Sequence, residues 1–316
     1  MGRYLLKRLL ATLPVLFLTS LVIFGLMRLL PGDPVMVIVG QTQAEMSEET
    51  LEEIRREHGL DRPLVIQYIT WLGKVFTGDL GRSVQSRQPV WDTLQPRLIP
   101  TIQIGLMAWA LSIVIAIPIA IISATKPSSW QDNLGTVGAL VGAAMPYFLL
   151  GGALIYVIAL RLKWLPASGY VPLRDDPVQS LRHSLLPAVT LGVGLTAIIM
   201  RQARSSLLEI LRLTYITTAR AKGLAERRVI LQHAFKNAML PVVTILGILL
   251  GNVMAGAVIT ETIFGIPGIG RLLVDSIYSR DYPVVQAIVL MIGVAVILSN
   301  LLVDVVYGYL DPRIRY

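Results

Sequence analysis

The chain has 316 residues, 54% of them hydrophobic and 15% charged, with a formal net charge of +8. A mean hydropathy of +0.66 is too high for a soluble chain of this length with separate polar faces, so it reads as an integral membrane protein. The absence of cysteine excludes a disulfide framework, a thiolate nucleophile and a Cys-based metal site.

Spanning helices need about 20 mostly apolar residues. Six runs qualify: Leu9–Leu30, Leu98–Ile122, Leu134–Leu160, Leu185–Met200, Leu240–Phe264 and Val284–Tyr307. The first follows Arg3, Lys7 and Arg8, as a signal peptide would. Its apolar stretch is too long for a signal core, however, and Pro31-Gly32-Asp33-Pro34 offers no small-residue cleavage site, so it is read as an uncleaved span. Residues 1–30 thus form an N-terminus and first span, 31–97 an extracytoplasmic helical segment, and 98–316 the core with five further spans.

Within 31–97, Ser47 is placed to cap a helix with Glu48 and Glu49 in its first turn and Leu51 and Ile54 on one face. Gly59 to Pro63 breaks it. A second amphipathic stretch carries Ile66, Ile69, Trp71, Leu72, Val75 and Phe76 and stops at Gly78-Asp79-Leu80-Gly81. Both helices are expected to cap the outer face of the bundle, or else simply to join two spans.

Basic residues collect in the short loops of one side, above all between Arg201 and Lys236. That sorting marks membrane orientation and not nucleic-acid binding, and it puts both termini and the 201–236 loop in the cytoplasm. In this loop Tyr215–Lys222 reads as a short helix, Gly223 as a bend, and Ala225–Ala238 as a second helix ending before Pro241. Ala219 and Gly223, one turn apart and flanked by Arg220 and Lys222, leave a shallow notch suited to a groove on a soluble partner. A basic helix resting on lipid headgroups is the plainer alternative.

In the fifth run Gly247, Gly251 and Ala255 recur every fourth position beside Asn252 and Thr260. A face without side-chain bulk admits another helix closely, either as ordinary packing or as a subunit seam along a pathway. The outer loop from Glu261 to Gly270, with Gly265, Pro267 and Gly268, is expected to line or close the outer mouth, unless it is a plain turn. Asn300 and Asp304 near the inner end of the last run suggest a structural pairing with Arg313 and Arg315, since one acid without a relay partner makes a poor proton path.

The absences argue against an enzyme. No lysine precedes Ser or Thr, so there is no P-loop, and there is neither a His-Glu-x-x-His pair nor a histidine inside a span. His58, His183 and His233 lie in separate loops, which speaks against a shared metal site.

The run Tyr215-Ile216-Thr217-Thr218-Ala219-Arg220-Ala221-Lys222-Gly223-Leu224, followed by His233-Ala234-Phe235-Lys236-Asn237-Ala238-Met239-Leu240-Pro241, resembles the cytoplasmic loop of ABC importer permeases of the dipeptide, oligopeptide and nickel group. Leu30-Pro31-Gly32-Asp33-Pro34, Gly59-Leu60-Asp61, Gly78-Asp79-Leu80-Gly81, Leu185-Leu186-Pro187-Ala188, Arg280-Asp281-Tyr282-Pro283 and Leu310-Asp311-Pro312-Arg313 extend the likeness to the first permease subunit of that group. Thr217 and Thr218 stand where the general importer pattern has Glu and Ala, as is similar in the peptide subgroup.

The resemblance implies an all-α, six-span type I importer permease of a bacterial or archaeal inner membrane. It implies no cofactor on this chain and coupling through Tyr215, Thr218, Ala219, Arg220, Lys222, Gly223 and Leu224. The implied partners are a second, different permease, two cytoplasmic ATPases that carry ATP and Mg, and an external solute-binding protein that delivers peptides or a related solute. An ion-coupled secondary transporter is the alternative, and it would need midplane charges.

Overall fold

The computed structural model describes residues 2–29, 48–57 and 59–310, and the side chains of Arg3, Lys7, Glu48, Leu51, Ile54, Asn252, Ala255 and Asp304, among others, lie outside that description. Pro31-Gly32-Asp33-Pro34, Ser47, His58, Arg313 and Arg315 also fall outside the described residues. The elements are α1 (Gly2–Leu29), α2 (Glu48–Glu57), α3 (Leu64–Phe76), α4 (Val90–Thr125), α5 (Trp130–Ala144) and α6 (Tyr147–Leu154), which widens into a π-helical turn at Ile155–Arg161. They continue with α7 (Pro177–Leu211), α8 (Thr214–Ala221), α9 (Glu226–Arg228), a π-helical segment Val229–Ala234, α10 (Phe235–Ile263), α11 (Ile269–Tyr278) and α12 (Tyr282–Leu310). Among the described residues no strand occurs beyond an isolated bridge between Arg82 and Pro89.

Five helical stretches are long and apolar enough to cross a bilayer: Arg8–Arg28, Val90–Thr125, Pro177–Leu211, Glu226–Gly251 and Tyr282–Val303. The third expected span, Leu134–Leu160, is not one helix. It is a pair, α5 and α6 with its π-helical turn, bent by 105°. The break falls at Met145-Pro146, where proline removes a donor and pushes the preceding residue out of helical geometry; Met145 has ψ 122. At the other prolines inside helices (Pro14, Pro96, Pro100, Pro118, Pro187 and Pro241) the helix continues, as membrane helices allow when neighbours satisfy the freed groups. The fourth span is longer than its apolar run because Asp176 caps it, accepting from the backbone N–H of Val178 and Gln179, with Pro177 in the first turn.

The core is the seam between α4 and α7. Ala108, Ser112, Ala116, Ala120 and Ala124 recur every fourth position on α4, and none is more than 2% exposed. Opposite them lie Leu191, Leu195, Ile199 and Ala203 of α7. A Cβ on Gly192 would stand 3.2 Å from the Ala108 carbonyl oxygen, so glycine there permits backbone contact. Trp109 of α4 donates to the Leu246 carbonyl of α10 at 2.9 Å, which joins the third member of the bundle. At the opposite edge of α7, Arg204 grips the buried Asp132 of α5 through two bonds of 2.6 and 2.7 Å, and Asp132 also accepts from Ser128 N. An ion pair this well satisfied offsets much of its desolvation cost.

The Gly247 and Gly251 face of α10 is filled by α12 of the same chain: a Cβ on Gly247 would overlap Val303, and one on Gly251 would meet Val296 and Ser299 at 3.2 Å. Of the two readings of this face, the contacts are those of packing within the chain. The second amphipathic helix, α3, lies against the flank of α1 and not over the end of the bundle. Tyr68 bonds Ser20 at 2.8 Å and meets the rings of Phe17 and Phe24 edge-on, and Ser20 lies about two helical turns inside the end of its span. The phenol oxygen needs a buried partner, and Ser20 is the one α1 offers.

A Gly247→Leu substitution should therefore lower the stability of the isolated chain by about 1–3 kcal/mol, the usual cost of overpacking. Thermal unfolding in detergent measures it; an unchanged transition together with loss of pairing to another permease would restore the subunit-seam reading.

Candidate coupling surface and outer-loop anchor

Within the 201–236 loop, α8 buries Ile216 and Ala219 against Val229 and Ala234 of the π-helical segment. Ile210 and Leu211 at the end of α7 and the half-buried Leu224 close this small core. Ala219, 8% exposed, is thus turned inward. The expected open notch between Ala219 and Gly223 is corrected to a single exposed bend: Ala219 is small because helix and π segment meet there, not because a partner enters.

The outward side carries Tyr215, Thr218, Arg220, Lys222 and Gly223, all exposed. Gly223 has φ +77 and nothing within 4 Å of a built Cβ, the left-handed residue that ends α8. Across the bend Arg220 holds Glu226 through two bonds, 2.7 and 3.1 Å. The Tyr215 hydroxyl accepts from Asn237 Nδ2 at 2.9 Å, tying α8 to the root of α10. The second helix of the 201–236 loop does not end before Pro241. From Glu226 the chain stays helical through the π-helical segment into α10, and Pro241 lies inside it. This junction adds a wide turn of the kind often found at functional sites.

The 261–270 segment is built around Glu261, which has no exposed surface although it is a carboxylate. It accepts from the Thr101 hydroxyl of α4 and from Arg271 N at 2.9 Å, while Thr101 in turn accepts from Ile269 N at 2.8 Å. The carboxylate thereby caps α11 from a distance, with its charge against the positive end of that helix. Gly268 and Gly270 are required by this approach: a Cβ on the first would overlap the Glu261 carboxylate, and one on the second the backbone of Val258. Gly265 turns the chain at φ +63, and Pro267 is exposed. Phe264 and Ile266 pack beneath with Ile104 and Leu186, so the segment is packed onto the bundle. Nearby, Tyr170 donates to Gln103 Oε1 at 3.0 Å, and burial pushes its phenol up from the ordinary value.

Two features went unseen in the sequence. Helix α11 lies between the fifth and sixth apolar runs, and Ile269, Leu272 and Ser276 at helical spacing, all buried, are its signal. Asp281 accepts from the Ser83 hydroxyl and from Val84 N at 3.1 Å, so the segments around Gly81 and around Asp281 are one site.

The family described as "Binding-protein-dependent transport system inner membrane component" matches residues 116–316, and its N-terminal companion matches residues 1–105. A probable peptide ABC transporter permease of Sinorhizobium fredii is 40% identical over 316 residues, covering all of both chains. The dipeptide transport system permease protein of Escherichia coli is 40% identical, over all of this chain and 99% of that one, and a glutathione transport system permease protein of the same species is 39% identical over the whole of both. Among solved structures, an inward-facing methionine ABC transporter superposes with a TM-score of 0.57 at 16% identity, over 69% of this chain and 96% of that one, a likeness of fold alone.

Removing the Glu261 carboxylate takes the acceptor from the Arg271 N–H and leaves the Thr101 hydroxyl only its longer bond of 3.2 Å to the Arg97 carbonyl. Glu261→Ala should cost about 1–3 kcal/mol from buried groups left unpaired. It should also open the 264–280 loop to protease, read by thermal unfolding and limited proteolysis of the purified chain.

Proposed function

The chain belongs to the inner membrane component family of binding-protein-dependent transport systems and is a permease subunit of an ATP-binding cassette importer, and on that premise we propose how it is driven and what it carries. The observation that carries the proposal is the placement of α8: its outer side is exposed, while its inner side packs on the end of α7 and on the π-helical segment that leads into α10. The 201–236 loop is read as cytoplasmic, and a cytoplasmic ATPase pair docks on Tyr215, Thr218, Arg220, Lys222 and Gly223.

A force on α8 reaches α7 through Ile210 and Leu211, and α10 through Val229 and Ala234. The α10 helix runs for 29 residues, about 43 Å, to Glu261 and the packed segment after it. Its glycine face carries α12 with it, and Thr101 carries α4. Closing of the ATPases would thus shift both ends of the core together, the requirement for alternating access. The chain itself holds no ATP; a second permease and an external binding protein complete the importer. Peptides are the proposed cargo, because the similar permeases are named for peptide, dipeptide and glutathione transport. The family membership leaves the ion-coupled alternative without support.

Gly223→Trp strains a left-handed position in the exposed bend, where a Cβ has nothing within 4 Å. In the reconstituted importer it should cut uptake at least tenfold and uncouple hydrolysis from loaded binding protein, while Ala225→Trp, also exposed, should do neither. Normal uptake by Gly223→Trp would reject docking at this bend. Ala219→Leu should instead unfold the small core. For orientation, Ser86→Cys should react with an impermeant maleimide in intact cells and Ala225→Cys should not; the reverse pattern inverts the topology.

A further inference from the structure

A cavity of about 290 Å³ opens between the last turn of α1, helix α3 and the start of α12. Its wall includes Arg28, Arg62 and Lys74 against one carboxylate, Asp79, which already accepts from Gly81 N at 2.9 Å. Among the described residues none of the three cations has an ion-pair partner. Arg28 is half-buried and stacks on the Phe24 ring at 5.4 Å, with Trp71 beside that ring. Gln67 and Gln286, on the same wall, each keep one buried amide atom without a hydrogen-bond partner. A cation withdrawn from water without a counter-charge is costly, and the cavity leaves room for an anion beside it.

The location selects the anion. Arg28 ends the first span, so the cavity sits at headgroup level. Along α1 toward the interior of the span, Leu21 and Phe17 lie on the same helix face as Arg28 and are 43% and 51% exposed, an apolar strip beneath the cation. A phosphate group above an acyl chain matches cations above such a strip, whereas a free anion would use only the upper half. Guanidinium groups pair with phosphate oxygens through parallel bonds, and an added pair of cations favours a headgroup with net negative charge.

We propose that this cavity is a binding site for one anionic phospholipid of the adjoining leaflet, its phosphate held by Arg28 and its headgroup flanked by Arg62 and Lys74. The inference is independent of the cargo and of the coupling surface.

The test uses the purified full chain, loaded with defined mixtures of phosphatidylglycerol and phosphatidylcholine and read by native mass spectrometry. One phosphatidylglycerol should persist on the wild type. Arg28→Gln should weaken it at least tenfold, and Arg62→Gln with Lys74→Gln, both exposed side chains, should weaken it without altering thermal unfolding. Arg161→Gln, a cation at another helix end, should leave it unchanged. Equal retention by wild type and both cavity variants, or equal retention of phosphatidylcholine, overturns the proposal. Displacement of the lipid by millimolar inorganic phosphate also overturns it, since the site would then be one for a free anion.

Discussion

Close approach of α4 and α7 is the constraint on which the rest of the structure hangs. Lipid tails are as apolar as leucine, so no hydrophobic force pulls two spans together, and association depends on contact between backbones. The stripe from Ala108 to Ala124 removes side-chain bulk at every turn of α4, and Gly192 removes it from α7 where the backbone comes nearest. Dispersion contacts that are small one at a time become large when they continue along four turns. With this pair fixed, α10 joins through Trp109 and Leu246, α12 joins α10 over Gly247 and Gly251, and α1 reaches α12 near Gly293.

Polar side chains do their work at the ends of the helices. Asp132 with Arg204, Glu261 with Thr101, and Asp281 with Ser83 each link elements distant in sequence, and each carboxylate also takes backbone N–H groups. Such complete satisfaction matters because a half-paired buried acid would cost more than an apolar substitute. The Glu261 site shows how a charge keeps a helix in place without any residue of that helix supplying a cap: Gly268 has no side chain to offer, so the carboxylate comes from α10. The packed segment after α10 is therefore mechanically part of the helix whose other end carries the small α8 core.

Around α8 small residues have two different physical meanings. Ala219 is small because α8 must lie close to Val229 and Ala234, while Gly223 is glycine because φ +77 is required at an open position. A sequence pattern of two small residues one turn apart reads the same in both cases. The side of the helix that each one faces separates them.

Length and placement of apolar runs, the sorting of Arg and Lys among loops, the missing P-loop and the motifs around Tyr215 to Pro241 were all legible in the chain, and they carried the membrane class, the helical spans and the permease family. These are local properties: bilayer thickness sets a run length, and a motif is contiguous. Which face of each span meets which neighbour is not local. The Gly247 face could have served another subunit as well as α12, α3 could have lain across the end of the bundle, and Glu261 looked like one polar residue of a loop. Pro146 breaks its helix and Pro241 does not, although both are prolines within apolar sequence. Only the packed bundle decided these outcomes, because a side chain's partner, and whether a freed backbone group finds one, depends on residues brought near from far along the chain.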